Sequence, residues 1–341
     1  EEGDDPEEGD DPEEGDDPEE GDDPEEGDDP EEGDDPEEGD ENAFRATISE
    51  SGVVTFEFGE EEESNNTVTL TTSEDDKLLF NGEEATAEGE DGDGEISSIE
   101  VGEGVTLTMD SDVLAAISGE EEESGITISG SGDVEITGAE EDESEGDTIV
   151  LSNLFDDGFE GIVTVQGGAG DDEITLSDAS ETVVFESSAE DNGEDSIINF
   201  TAGEDGDVLD FSAFIEDLAG AGIEDGSFAY LTASEEGIDI AGKVFLLEVD
   251  TSEGTDAIAN LIESSGDGGE DELSLILGSG DKAVALVSST EELGGQDGDE
   301  FEIYYLTGAS GEDGEVSIEL VGTVTISDGS ALVAYNFGIE G

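Results

Sequence analysis

The chain has 341 residues, of which 106 are Asp or Glu and only 4 are Lys or Arg, for a formal net charge of −102. A surface of that sign repels nucleic acid and anionic lipid, so neither is expected as a partner, and self-repulsion makes folding depend on salt or bound cations. Histidine and cysteine are absent, which removes the commonest general base, every Ser-His-Asp or Cys-His arrangement, the histidine zinc motifs and any disulfide.

Residues 1–36 are six copies of Glu-Glu-Gly-Asp-Asp-Pro, and 37–42 begin a degenerate seventh. No apolar side chain is available there to bury a core. Proline in each copy favours extended backbone and glycine adds flexibility, so 1–42 is expected to be an extended polyanionic tail. It reads as a solvated spacer, a calcium-concentrating brush or an assembly arm. The chain starts at Glu1 in register with the repeat, and a processed or incomplete start is expected.

From residue 43 to Phe214 short β-rich runs alternate with Gly, Ser and acidic turns. The expected strands are Val53–Phe58, Thr67–Thr71, Lys77–Phe80, Val105–Met109, Ile126–Ser129, Val134–Thr137, Thr148–Leu151 and Ile162–Val165. Alternation such as Val105-Thr106-Leu107-Thr108-Met109 puts apolar residues on one face, as a parallel β-solenoid, a β-roll or a β-sandwich requires. The acidic clusters Glu60–Glu63, Glu120–Glu123 and Glu140–Glu143 are expected at loop tips, because such runs are not buried.

Gly167 to Thr175 fit the nonapeptide G-G-x-G-x-D-x-U-x, a calcium-binding turn followed by a strand. Glycine permits the tight turn with carbonyls pointing inward, Asp172 brings a hard carboxylate, and Ile174 opens a short strand. One such turn is half a site. Gly193-Glu194-Asp195-Ser196-Ile197 keeps the order downstream, and Gly146-Asp147-Thr148-Ile149 is a looser echo upstream. The candidate calcium ligands are therefore Gly167, Ala169, Asp171 and Asp172 of the first turn, with Gly193 and Asp195 of the second. The alternative is a Gly-Asp turn between ordinary strands.

Residues 193–214, with Asp210-Phe211-Ser212-Ala213-Phe214 at their end, resemble the segment that closes the β-roll in RTX-type calcium-binding proteins exported by bacterial type I secretion. The stretch from Asp281 to Phe337 resembles their C-terminal domain, and Ile126 to Gly138 is similar to the threonine-rich coils of RTX-type surface-layer proteins. The resemblance implies calcium-dependent folding outside the cell, export through an uncleaved C-terminal signal, and a secreted or cell-surface location. This chain departs from the family in having one perfect repeat.

Beyond Phe214 a compact β-rich C-terminal domain, 215–341, is expected. It carries one or two helices, at Ile215–Leu218 and Asp256–Glu263, and strands at Lys243–Val249, Leu273–Leu277, Lys282–Val287, Phe301–Leu306, Val316–Val321 and Thr323–Ile326. Gly278–Asp281 and Gly311–Gly314 read as turns of antiparallel hairpins. No apolar run approaches the roughly 18 residues of a membrane span, so membrane insertion is not expected.

The leading functional expectation is a non-enzymatic, calcium-stabilised structural protein that self-assembles as a surface layer, sheath, filament or matrix. A calcium-dependent adhesin or ligand-binding module is the alternative. A carboxylate-based glycoside hydrolase is third, since two acids suffice for that chemistry but the chain has no Trp to stack on a sugar.

Overall fold

In the computed structural model the residues described are 44–58, 66–73, 77–87, 96–118, 125–138, 146–215, 228–231, 237–248, 255–263, 274–288, 298–308, 316–327 and 329–338. The expected acidic tail, the three acidic clusters and all but the first residue of the helix expected at Ile215 lie outside them.

The first part of the chain forms β1 (Arg45–Ile48), β2 (Val53–Glu57), β3 (Asn66–Thr72), β4 (Leu78–Phe80), β5 (Thr86–Ala87), β6 (Ser98–Val101), β7 (Val105–Asp110) and helix α1 (Ser111–Ser118). There follow β8 (Thr127–Gly130), β9 (Asp133–Thr137), β10 (Thr148–Val150), β11 (Val163–Gln166), β12 (Glu173–Thr175), β13 (Glu181–Val184), α2 (Ala189–Asn192), β14 (Asp195–Phe200) and β15 (Val208–Asp210). The last part adds β16 (Phe228–Leu231), β17 (Ile238–Asp239), β18 (Val244–Glu248), α3 (Thr255–Glu263), β19 (Leu275–Ile276), β20 (Lys282–Ser288), β21 (Glu300–Thr307), β22 (Ser317–Ile326) and a 3₁₀ turn at Ala334–Phe337. The molecule is mainly β, in several sheets of mixed direction.

Three large sheets share the strands. A five-stranded sheet runs β5-β1-β2-β6-β8, a seven-stranded one β15-β13-β11-β9-β7-β3-β4, and an eight-stranded one β10-β12-β14-β22-β21-β20-β18-β16. Between β9 and β15 the chain steps alternately between the last two. Each new strand lies parallel to the one laid down two strands earlier, so β9, β11, β13 and β15 stack in order and so do β10, β12 and β14. In-register parallel pairing sets like residue over like. Ile149, Ile174, Ile197 and Val324 form one row, and Met109, Ile136, Val165, Val183 and Leu209 another. All are buried, each worth about 1.5–3 kcal/mol of transfer free energy.

Helix α1 was not expected from the pattern. Its apolar residues Val113, Leu114 and Ile117 are buried, and Asp110 caps its start by accepting from Val113 N at 2.8 Å.

The eight-stranded sheet crosses the segment boundary expected at Phe214. β22 pairs in parallel with β14 and antiparallel with β21, and residues 42–341 form one compact unit. Both faces of β20 are covered. Along β20, Val284 and Leu286 join the core beneath the parallel stack, while Ala283, Ala285 and Val287 join a second cluster with Ile258 of α3. Double burial is why that strand reads as a continuous apolar run. Val316–Val321 and Thr323–Ile326, expected as two strands, are one strand through Gly322, where an added Cβ would fall 2.5 Å from Asp195 O. β19 pairs in parallel with β17 rather than with β20, so Gly278–Asp281 closes no hairpin between them.

The C-terminal turn seals the stack. Asn336 is fully buried; its Oδ1 accepts from Gly203 N at 3.1 Å and Val333 N at 2.9 Å, and its Nδ2 donates to Gly203 O at 3.1 Å and Asp207 O at 2.7 Å. Asn336→Ala deprives the half-buried amides of Gly203 and Val333, the Gly203 carbonyl and the buried Asp207 carbonyl of their partner, and urea unfolding is expected to show a loss of roughly 2 kcal/mol; a loss under about 0.5 kcal/mol would mean the segment does not hold the end of the stack.

Candidate metal centre

Asp147 and Asp172 stand one residue before β10 and β12, Asp195 is the first residue of β14, and the parallel register Thr148–Glu173–Ser196 sets the three over one another. They are joined by carboxylate-to-amide bonds. Asp172 Oδ1 accepts from Asp147 N at 2.7 Å, and Asp195 Oδ1 accepts from Asp172 N at 3.2 Å. Ser111 Oγ donates to Asp147 Oδ1 at 2.8 Å, so the residue that opens α1 also anchors the first rung. Asp171, exposed at the turn, accepts from Glu194 N at 3.0 Å through Oδ1.

The turn that precedes Asp172 has the form its glycines require, with Gly168 at φ +91° and Gly170 at φ +122°. Gly167 is buried against the Asp172 carboxylate, and a Cβ there would collide with Oδ2. Asp172 is 2% exposed, and its Oδ2 is buried with no hydrogen-bond partner. Asp195 differs: both of its oxygens are engaged, Oδ2 by Asn192 Nδ2 at 2.8 Å. The structure thus brings Gly167, Asp172 and Asp195 together, leaves Asp171 at the exposed rim, and puts Ala169 at the half-buried tip of the turn. Gly193 ends α2 at φ +80°, packed where a Cβ would strike Gly170 O.

Burial is the main cause that raises the Asp172 carboxyl above its ordinary range; the Asp147 charge adds to it and the Asp147 amide opposes it. Asp195 is pushed up to about 8, first by burial and then by the Asp172 charge. A buried anionic oxygen without a donor costs on the order of 1–3 kcal/mol. A proton or a hard cation removes that cost. Among the described residues no three or more acidic side chains converge as a metal cage, so a cation here would take one carboxylate oxygen, Asp172 Oδ2, and complete its shell with backbone carbonyls or water. That donor set is all oxygen, which suits calcium.

Asn192 escaped the sequence reading. Its Oδ1 accepts from Glu186 N at 3.0 Å, and its Nδ2 also donates to Val321 O at 3.1 Å, tying the turn to β22. The available signal was the helix cap: Ser188 Oγ accepts from Asp191 N at 3.2 Å, ahead of the terminating Gly193.

No protein-family model matches the chain, and no curated protein matches it. The geometry itself makes a test. Asp172→Asn keeps an oxygen for the Asp147 amide and removes the unpartnered charge. In excess chelator the variant is expected to be more stable than the native chain by about 1–3 kcal/mol; added calcium is expected to raise the melting temperature of the native chain and not that of the variant. A calcium increment that survives the substitution would place the ion elsewhere.

Proposed function

We propose that this chain is a non-enzymatic, calcium-stabilised structural protein of the cell exterior, a parallel β-solenoid of RTX type whose copies assemble through cation-bridged acidic surfaces. The observation that carries the reading is the unpartnered, buried Asp172 Oδ2 facing Gly167, at the aspartate of the one perfect nonapeptide. The winding of β9 to β15, with each strand parallel to the one two before it, supports the solenoid. The lack of His and Cys in the whole sequence supports a structural rather than catalytic role. Among the described residues no helix is long and apolar enough to cross a membrane.

Assembly through the edges of the seven-stranded sheet is disfavoured at both ends. β15, the last strand of the seven-stranded sheet, packs against the 3₁₀ turn 334–337; at the other, β4 is three residues long and adjoins Lys77, a blunted edge. Contacts between acidic faces remain. Subunits of net charge −102 repel at contact distances even in physiological salt, where the screening length is about 8 Å, so bound cations belong at the interface. Export in the manner of type I secretion, through the C-terminal region, is part of the same reading.

A groove of about 520 Å³ over β3, β7 and β9 favours a second reading, a calcium-dependent adhesin or ligand-binding module. Thr69, Thr71, Thr108, Thr137, Asp110 and Glu135 line it together with Leu70 and Met109, a mixed surface whose hydroxyls and carboxylates suit hydroxylated ligands. Light scattering during a calcium titration separates the two. Growth of large species in calcium, reversed by chelator and not reproduced by equal ionic strength of sodium, is expected for the structural protein; a chain that stays monomeric at millimolar calcium would favour the binding module.

A further inference from the structure

At the opposite edge of the same coils, residues 176–181 connect β12 to β13 and residues 201–207 connect β14 to β15. The two turns are stitched through one carboxylate. Asp207 Oδ1 accepts from Glu181 N at 2.9 Å, its Oδ2 accepts from Thr201 N at 2.7 Å, and Asp207 N donates to Thr201 O at 2.8 Å. Glu181 is 1% exposed and Asp207 0%. Glu181 Oε1 accepts from Ser177 N at 3.3 Å and from Ser177 Oγ, but Oε2 is buried and has no hydrogen-bond partner. Two carboxylates are thus held side by side out of water, with one oxygen lacking a donor.

We propose that Glu181 is an un-ionised carboxylic acid at neutral pH and that its Oε2 proton is shared with the Asp207 carboxylate, a proton latch that joins two successive turns without metal. The occupant of the gap is a proton rather than calcium for a reason of donor count. Calcium takes six to eight oxygens; three of the four carboxylate oxygens here already receive N–H or O–H groups, and, unlike Asp172, these two acids lie in no glycine nonapeptide that could add carbonyls. A proton needs only one oxygen on each side. Asp207 is the charged group that faces Glu181; Asp178, Glu204 and Asp205 on the same turns are exposed, and β11 on the other flank sets Val163 against it. Burial, and then the Asp207 charge, push the Glu181 carboxyl up to about 9.

The latch also holds the closing segment, because Asp207 O and Gly203 in the same turn are what Asn336 binds. Ionising both acids leaves two buried anions in contact, and separating the turns relieves them. The linkage is that of a raised acid: the folded chain keeps the proton to about pH 9, whereas the unfolded chain loses it near 4.5. The contribution is complete below the lower value, falls as pH rises and is gone above the upper one.

Thermal melts of the full chain at saturating calcium and constant ionic strength, compared with Glu181→Gln, test this, because Gln keeps a donor for Asp207 and does not titrate. The melting temperature of the native chain is expected to fall relative to the variant by about 3 °C per pH unit between pH 6 and 9; parallel profiles would overturn the latch. Infrared spectra at neutral pH check it without a variant: ¹³C labelling of glutamate is expected to shift the carbonyl band of an un-ionised carboxyl, and no shifted band would overturn it. Loss of one equivalent of bound calcium in Glu181→Gln would overturn it too, with a metal ion as the occupant.

Discussion

The structure depends on carboxylates that accept hydrogen bonds from backbone amides one coil away. With 106 acids and 4 cationic residues, ion pairs do not neutralise this chain. The pair Lys77–Glu84 has side chains 57% and 60% exposed, and a pair so exposed contributes little. Amides do the work instead. Asp133 takes the amide of Ile162, Asp171 that of Glu194, Asp172 that of Asp147, Asp195 that of Asp172 and Asp207 that of Glu181. Each bond lies at or beside a strand entrance, where the parallel ladder has not yet begun to use the amide. Where the carboxylate is ionised such a bond is about twice as strong as a neutral one, and all five tie neighbouring strands in the register that stacks the apolar rows.

The same economy governs the few cations. Lys282 Nζ lies 4.5 Å from the centre of the Phe214 ring, and Phe214 in turn stacks on Tyr305 at 3.7 Å. The charge sits on a ring face at the junction between the parallel stack and the C-terminal strands, where cation–π attraction serves packing as well as charge. Tyr305 donates to Glu186 O at 2.9 Å, which carries the junction back to the turn before α2.

Local pattern was legible and pairing was not. Alternation placed strands such as Val105–Asp110 and Asp133–Thr137 to within a residue or two, because an apolar face of period two has one physical reading. Asp172 stood out through its glycines. Glu181 and Asp207 did not, since neither lies in a motif and their meeting is made by a register 26 residues apart. Helix α1 is too short for a clear helical period, and only Asp110 as a cap could have announced it. The boundary at Phe214 reflected a change of composition, whereas strand order, which composition does not encode, carries β22 back beside β14.

That return sets an order on closure. The stitches between successive turns span 23 to 29 residues, whereas the bonds from Asn336 to Gly203 span 133. Loop-closure entropy makes the longer loop costlier by about 1.5 kcal/mol. The difference is small beside the four hydrogen bonds of the Asn336 side chain in the finished molecule, yet it opposes the long closure until those bonds form together. The parallel strands can therefore stack on one another through their aspartates while the end of the stack stays open, and only β22 and the turn 334–337 complete it. The eight-stranded sheet makes this completion doubly effective, because β22 covers the last parallel strand of one sheet as the 3₁₀ turn covers the last strand of the other. Distant chain thus finishes both sheets at the same end of the stack, which makes that end the part of the fold with the longest loops to close.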